Sequence, residues 1–211
     1  MDRIYNSNDK EDGRMILGTH NSGTGGRLVW WQRPFAPLLH LTSRCQNRSI
    51  KEQLKDGVKL FNLQVTYYKG DWHFSHGLCI YEEKLTDALT AMKAAATNEE
   101  PIYFQLYLDK NFLCGQRKEK FRQLVNEIKE RICNECLVML SAWIEGSDSY
   151  PHKAKTEIDK REHYWTATWA KVYGRGIMDR MPLPYRHASI YNSKYRKECC
   201  SKYLMLDFYN V

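Results

Sequence analysis

Met15-Ile16-Leu17 runs without a break into Gly18-Thr19-His20-Asn21-Ser22-Gly23. An apolar strand that delivers a polar histidine at its carboxyl end is the arrangement parallel α/β folds use for their active sites. The next strong strand reads Gly57-Val58-Lys59-Leu60-Phe61-Asn62-Leu63-Gln64-Val65. Strand alternation puts Asn62 and Gln64 on one face and Phe61, Leu63 and Val65 on the other. Inward-facing amides are costly to bury without partners, so this pair is expected to hydrogen-bond a ligand or each other.

Outward from these two segments, strand-like runs alternate with helix-period runs. Strands are expected over 14–17, 58–67, 72–75, 101–108, 137–143, 164–169 and 203–208, and helices over 49–55, 84–96, 117–133 and 152–161. In the third helix Phe121, Leu124, Val125, Ile128 and Ile132 follow the spacing of one buried stripe. Ser49 followed by Glu52 is a capping-box start for the first helix, and Gly57 would stop it. Such alternation implies parallel strands joined by crossover helices, in either an open doubly wound sheet or a closed (β/α) barrel. The 22–48 connection is long for a compact domain, and long ordered loops tend to be functional. Residues 174–201 contain Pro182 and Pro184, so any strand there is short.

The 211 residues favour one domain, and 43% hydrophobic with 27% charged residues is a folded globular balance. The net charge of +7 sits almost wholly in one stretch. Residues 151–202 hold 12 Lys/Arg against 5 Asp/Glu, which suits an anionic partner or simply a solvated basic face. Nucleic acid is disfavoured, because there is no zinc-finger spacing, aromatic RNA-binding signature or heptad repeat. The first 13 residues read as a flexible polar terminus without a signal peptide, and no apolar run suffices for a transmembrane segment. The 7 scattered cysteines, with a single C-x-x-C at Cys133 and Cys136, read as reduced thiols of a cytoplasmic protein.

Three residues could carry chemistry together. Trp72-His73-Phe74-Ser75-His76-Gly77 places two histidines three apart, so a regular strand cannot aim both inward. His76, nearer the carboxyl end and followed by glycine, is the better partner for His20. A neutral imidazole can take a proton from an attacking hydroxyl while an imidazolium gives one to the leaving oxygen. A base of this kind often leans on a carboxylate that fixes its tautomer. Asp207, after the apolar Tyr203-Leu204-Met205-Leu206, is the candidate, since a barrel brings its last and first strands side by side.

The ordered series Gly18-Thr19-His20-Asn21-Ser22-Gly23, Ser49-Ile50-Lys51-Glu52-Gln53-Leu54 through Gly57-Val58-Lys59, Phe61-Asn62-Leu63-Gln64, and His76-Gly77 resembles the X domain of phosphatidylinositol-specific phospholipase C. The likeness covers residues 14 to about 110 and again 203–210. It implies a small irregular (β/α)8 TIM-type barrel spanning 1–211, and cleavage of a lipid or inositol phosphodiester by internal attack. His20 matches the general base, His76 the general acid, and Asp207 the carboxylate behind the base in the bacterial, metal-independent branch. Asn21 corresponds to a calcium ligand of the eukaryotic branch, and Asp109 falls where that branch has an acidic ligand.

One departure stands out. The bacterial branch carries Asp-x-Arg and the eukaryotic branch Glu-x-Asp where this chain has Asn62-x-Gln64. A neutral amide stabilises phosphate less than an arginine does, by roughly 1–2 kcal/mol. Amide oxygens in place of carboxylates also weaken a hard-cation site at Asn21, Asn62, Gln64 and Asp109, so calcium is disfavoured and no cofactor is expected. Asn21, Asn62, Gln64 and Asp109 are therefore expected to contact substrate, with Lys59, Lys110 or the 151–202 stretch supplying charge. The alternative is a weakly active or inactive barrel that serves as a binding or structural subunit. The glycerophosphodiesterase and sphingomyelinase D group also uses two histidines, but needs a Glu-x-Asp metal pair that Asn62-x-Gln64 does not supply.

Arg27-Leu28-Val29-Trp30-Trp31-Gln32-Arg33-Pro34-Phe35 follows the first histidine. Tandem indoles with flanking arginines suit a membrane interface, so peripheral membrane contact through Trp30 and Trp31 is one expectation. A buried lid and an interface with a protein partner are the others.

Overall fold

The computed structural model describes residues 16–111, 113–144, 188, 192–193 and 203–210. The expected flexible terminus 1–13, helix 152–161, strand 164–169 and nearly all of the basic stretch lie outside the described residues. Among the described residues, strands β1 (Ile16–Thr19), β2 (Leu60–Tyr68), β3 (Asp71–His76), β4 (Cys79–Lys84), β5 (Ile102–Leu108), β6 (Leu137–Ile144) and β7 (Tyr203–Leu206) form one sheet. Helices α1 (Ala36–Ser43), α2 (Ile50–Lys55), α3 (Leu85–Ala95) and α4 (Lys118–Arg131) accompany it, with 3-10 turns at Ser22–Gly25 and Trp30–Phe35. The 22–48 connection thus holds more regular structure than its sequence suggests. Strand β4 was not expected: its three buried residues, Cys79, Ile80 and Tyr81, are consecutive and carry no alternation signal.

β7, β1, β2, β5 and β6 are parallel and adjacent in that order. Among the described residues the strands and helices form a mixed α/β sheet that is not closed. β3 and β4 form an antiparallel extension of β2. The register decides where the site can be. β5 covers one edge of β2 from Leu60 to Val65, so β1 and β3 must share the other edge. β1 pairs there at Leu60 and Phe61, whereas β3 pairs from Val65 to Tyr68 and runs the opposite way. The carboxyl ends of β1 and β3 therefore meet over Asn62, Leu63 and Gln64.

The two faces of this sheet differ. Phe61, Leu63, Val65, Phe104, Leu106 and Leu108 belong to the main core, which includes Ile50, Leu85, Leu89, Phe121 and Ile128 from the helices. The other face carries a smaller cluster of Leu60, Tyr103 and Met205, with Ile16, Val138 and Leu140 against it. Along the same face toward the carboxyl ends the residues turn polar: Asn62 beside Gln105, and Gln64 beside Tyr107. An apolar floor with a polar layer above it is the stage on which the histidines stand.

Candidate active site

His20 follows the last residue of β1, and Asp207 the last residue of β7. Because the register pairs Thr19 with Leu206, the two strands leave the sheet in step. The His20 amide donates to the Leu206 carbonyl at 3.0 Å, and the next side chains are brought face to face. The His20 Nδ1 and the Asp207 Oδ1 lie 2.9 Å apart, with the Asp207 side chain 1% and the His20 side chain 17% exposed. Gln46 fastens this pair of strand ends: its Nε2 donates to the carbonyls of both His20 (2.9 Å) and Leu206 (2.8 Å).

His76 arrives from the end of β3. Its ring centroid lies 6.5 Å from that of His20, edge to face at 84°. The His76 Nδ1 sits 2.9 Å from the Ser43 carbonyl at the end of α1. A carbonyl and a carboxylate only accept hydrogen bonds, so each neutral histidine carries its proton on Nδ1, and Nε2 is the ring atom left to accept one. His73, the alternative considered from sequence, points away: its Nδ1 meets the Tyr81 carbonyl at 2.9 Å in the core.

A glycine makes this approach feasible. The 3-10 turn after His20 presses on β3, and a Cβ at Gly23 would fall 2.1 Å from the Phe74 ring. Asn21 takes φ 44° to enter the turn, a left-handed conformation that asparagine tolerates better than most residues. The Ser22 hydroxyl accepts from the Asn62 amide at 2.9 Å, filling the edge position that neither β1 nor β3 reaches. Gln53, buried on α2, holds the same turn through Thr19, Ser22 and Arg48.

The polar layer is internally bonded. Asn62 Nδ2 donates to Gln105 Oε1 at 3.1 Å, and Gln64 Nε2 to Asp109 Oδ1 at 2.7 Å. Of the two alternatives expected, a ligand or each other, the second does not hold: each amide reaches across to β5 or the residue just beyond it. Asn21 accepts from the Tyr107 hydroxyl at 2.9 Å, and its amide donates to Asn62 Oδ1 at 3.2 Å. The oxygens of Asn21 and Asn62, considered as calcium ligands, thus face protein donors, while Gln64 Oε1 is buried with no partner among the described residues. Tyr107 stacks flat on Trp143 at 4.7 Å. Lys59, a candidate source of charge, instead pairs with Glu100 at 2.9 Å below the start of β2.

Cys45 was not singled out from sequence. It is buried, its Sγ lies 3.7 Å from His76 Nδ1, and the Asn21 amide nitrogen donates to it at 3.6 Å. Burial first, and then the Asp207 charge, push its thiol well above the usual range. His20, Cys45 and Asp207 offer ligand-type atoms all within 4.8 Å of one another. No local pattern marks Gln46, Cys45 or Ser43, because each acts through a contact distant in sequence.

Trp30 is 68% exposed, and Phe35, Leu38 and Leu41 are also exposed on the segment leading to Ser43. Trp31 is half-buried and donates its indole N–H to the Tyr68 hydroxyl at 3.0 Å. The fully buried lid expected as one alternative does not hold for Trp30. Among the described residues no helix is long and apolar enough to cross a membrane.

No family model matches the chain, and no curated protein does either. Solved structures do. A single-site variant of the phosphatidylinositol-specific phospholipase C from Staphylococcus aureus aligns over 94% of this chain and 88% of its own, with TM-score 0.60 at 16% identity. A double variant of the same enzyme aligns over the same shares, with TM-score 0.61 at 15% identity. The phosphatidylinositol-specific phospholipase C from Listeria monocytogenes covers 93% of this chain and 88% of its own, with TM-score 0.54 at 14% identity. Likeness at this level of identity is a likeness of fold: the chain has the α/β fold of the bacterial phosphatidylinositol-specific phospholipases C.

Proposed function

We propose that this protein cleaves a phosphodiester of the phosphatidylinositol type, with His20 as general base and His76 as general acid. The observation that carries the reading is the pair of rings, 6.5 Å between centroids, with a buried carboxylate behind one of them. In this reading Asp207 holds the His20 proton on Nδ1, so the Nε2 lone pair takes the proton of the attacking hydroxyl. The Ser43 carbonyl holds His76 in the same sense, so its protonated Nε2 gives a proton to the leaving oxygen. Asn62 and Gln64, with Asn21 and Asp109, line the polar layer where the phosphate and polyol would lie. The parallel order of β7, β1, β2, β5 and β6 is also that of a (β/α)8 barrel, which we take as the complete architecture.

The exposed apolar segment at Trp30, Phe35, Leu38 and Leu41 leads into the loop that holds His76. In this reading it touches a lipid surface while the site takes a headgroup. One neighbouring structure of the Staphylococcus aureus enzyme concerns modulation of that enzyme's membrane binding.

The test is release of water-soluble inositol phosphate from phosphatidylinositol vesicles and from a soluble inositol phosphodiester, with and without calcium. His20→Ala and His76→Ala should each lower turnover by about 10²–10⁴. Full activity in either variant refutes the assignment. A second reading, a binding or structural subunit, is favoured by the neutral Asn62 and Gln64 pair. No product from any substrate, with a stably associated partner protein, would establish it instead.

A further inference from the structure

The group formed by His20, Cys45 and Asp207 has a composition that phosphodiester cleavage does not use. Acid–base transfer needs the two imidazoles and the carboxylate, yet a buried thiol stands among them. An imidazole, a thiol and a carboxylate together are a donor set for a borderline-soft divalent cation rather than for calcium or magnesium. All three donors lie within 4.8 Å of one another. A tetrahedral zinc with bonds of about 2.0–2.3 Å sets its ligand atoms roughly 3.3–3.8 Å apart. Shifts of about an ångström or less would therefore close the three onto one ion. Asp207 Oδ2 adds a second sign, since it is buried and has no hydrogen-bond partner among the described residues while Oδ1 serves His20.

We infer that His20 Nδ1, Cys45 Sγ and the Asp207 carboxylate form a site for zinc or a similar divalent cation, and that occupancy turns the proposed phosphodiesterase off. Ligation is written with its protons. The Cys45 thiol releases one proton to solvent and binds as thiolate. His20 moves its ring proton from Nδ1 to Nε2 and binds through the freed Nδ1 lone pair, and Asp207 turns from the ring to the metal. The fourth position is left to water or an anionic oxygen, because the ligand-type atoms grouped within 4.8 Å of one another are those of His20, Cys45 and Asp207 and do not include His76. Metal at Nδ1 thus puts the proton on the atom that has to accept one, and the base is lost without the polar layer being filled.

The inhibition half rests on the His20/His76 reading; the binding half does not, and the experiment separates them. Chelator-treated, reduced full-length protein is titrated with zinc by calorimetry and with cobalt by absorption, and the zinc form is examined by X-ray absorption. One tight ion, a cobalt–thiolate band and a zinc shell with a single sulfur support the site. Cys45→Ser should abolish the band, and Cys136→Ser should keep it. Loss of even an outer partner costs about 10–100-fold in metal affinity, so Cys45→Ser should weaken zinc at least that much. A shell with only nitrogen and oxygen, or with two or more sulfurs, overturns the site even if Cys45→Ser does not fold. Turnover of the inositol phosphodiester should stop at one equivalent of zinc and return with chelator. Turnover that persists in the zinc-loaded protein overturns the inhibition, whereas tight zinc binding in a protein with no turnover removes the phosphodiesterase reading and leaves the metal site standing.

Discussion

Asp207→Asn is the sharpest single perturbation of the proposed mechanism. The carboxylate is buried and the ring it serves is only 17% exposed, so solvent screens their interaction little. A hydrogen bond to a charged group is worth about 1.5–3 kcal/mol and a neutral one about 0.5–1.5, so the amide removes about 1–2 kcal/mol of support for a protonated His20. At one decade of rate per 1.36 kcal/mol, that slows turnover roughly 5- to 30-fold if the amide oxygen still accepts from Nδ1. If the amide instead turns its NH₂ toward the ring, the tautomer inverts and the loss approaches ~10⁴. The assay is cleavage of a soluble inositol phosphodiester, which removes vesicle binding from the measurement. Nitrogen NMR of the His20 ring reports the tautomer directly, with the proton on Nδ1 in the wild type. Combined with His20→Ala, Asp207→Asn should add nothing further. A variant with wild-type turnover at every pH, or one whose effect persists without His20, refutes the claim that Asp207 acts through that ring.

Gly23→Ala should lower stability by about 1–3 kcal/mol, since its Cβ would overlap the buried Phe74 ring and that ring has nowhere to go; thermal unfolding measures it, and an unshifted midpoint contradicts the packing described. Burial raises Glu83 to a pKa of about 7 from 4.5. The folded state therefore holds this proton where the unfolded chain has lost it, and stability falls as pH rises from about 4.5 to 7. Glu83→Gln should flatten that segment of the stability curve and be more stable than wild type above pH 7, by about 2–3 kcal/mol at most; an unchanged pH profile in denaturant unfolding refutes it. Trp30→Ala should weaken partition onto anionic phosphatidylinositol vesicles while leaving turnover of the soluble substrate unchanged; equal partition of both proteins removes the lipid-contact reading.

The elements with strong local signals were readable from the chain. Periodicity placed α4 at Phe121, Leu124, Val125 and Ile128, and the Ser49 and Glu52 pattern became a reciprocal cap on α2. Strand alternation put Asn62 and Gln64 on the polar face of β2. The 3-10 turns, α1 and β4 were not readable, because their stability comes from contacts made elsewhere. Gln32, for example, bonds the backbone at Leu78 and Ile80.

The groups able to do chemistry are legible in the chain alone, because residue type sets the unperturbed pKa and the donors and acceptors, and alternation sets which side chains share a strand face. The chain supplied His20 at the end of an apolar strand, His76 before a glycine, and a carboxylate after the last apolar run. Distance came from the fold. β1 and β3 meet head to head because β5 occupies the opposite edge of β2, and β1 and β7 leave the sheet in register through Thr19 and Leu206. The partners of Asn62 and Gln64 and the thiol of Cys45 beside the two rings follow from the same pairings. They depend on ladders between residues far apart in the chain, and no local pattern encodes those.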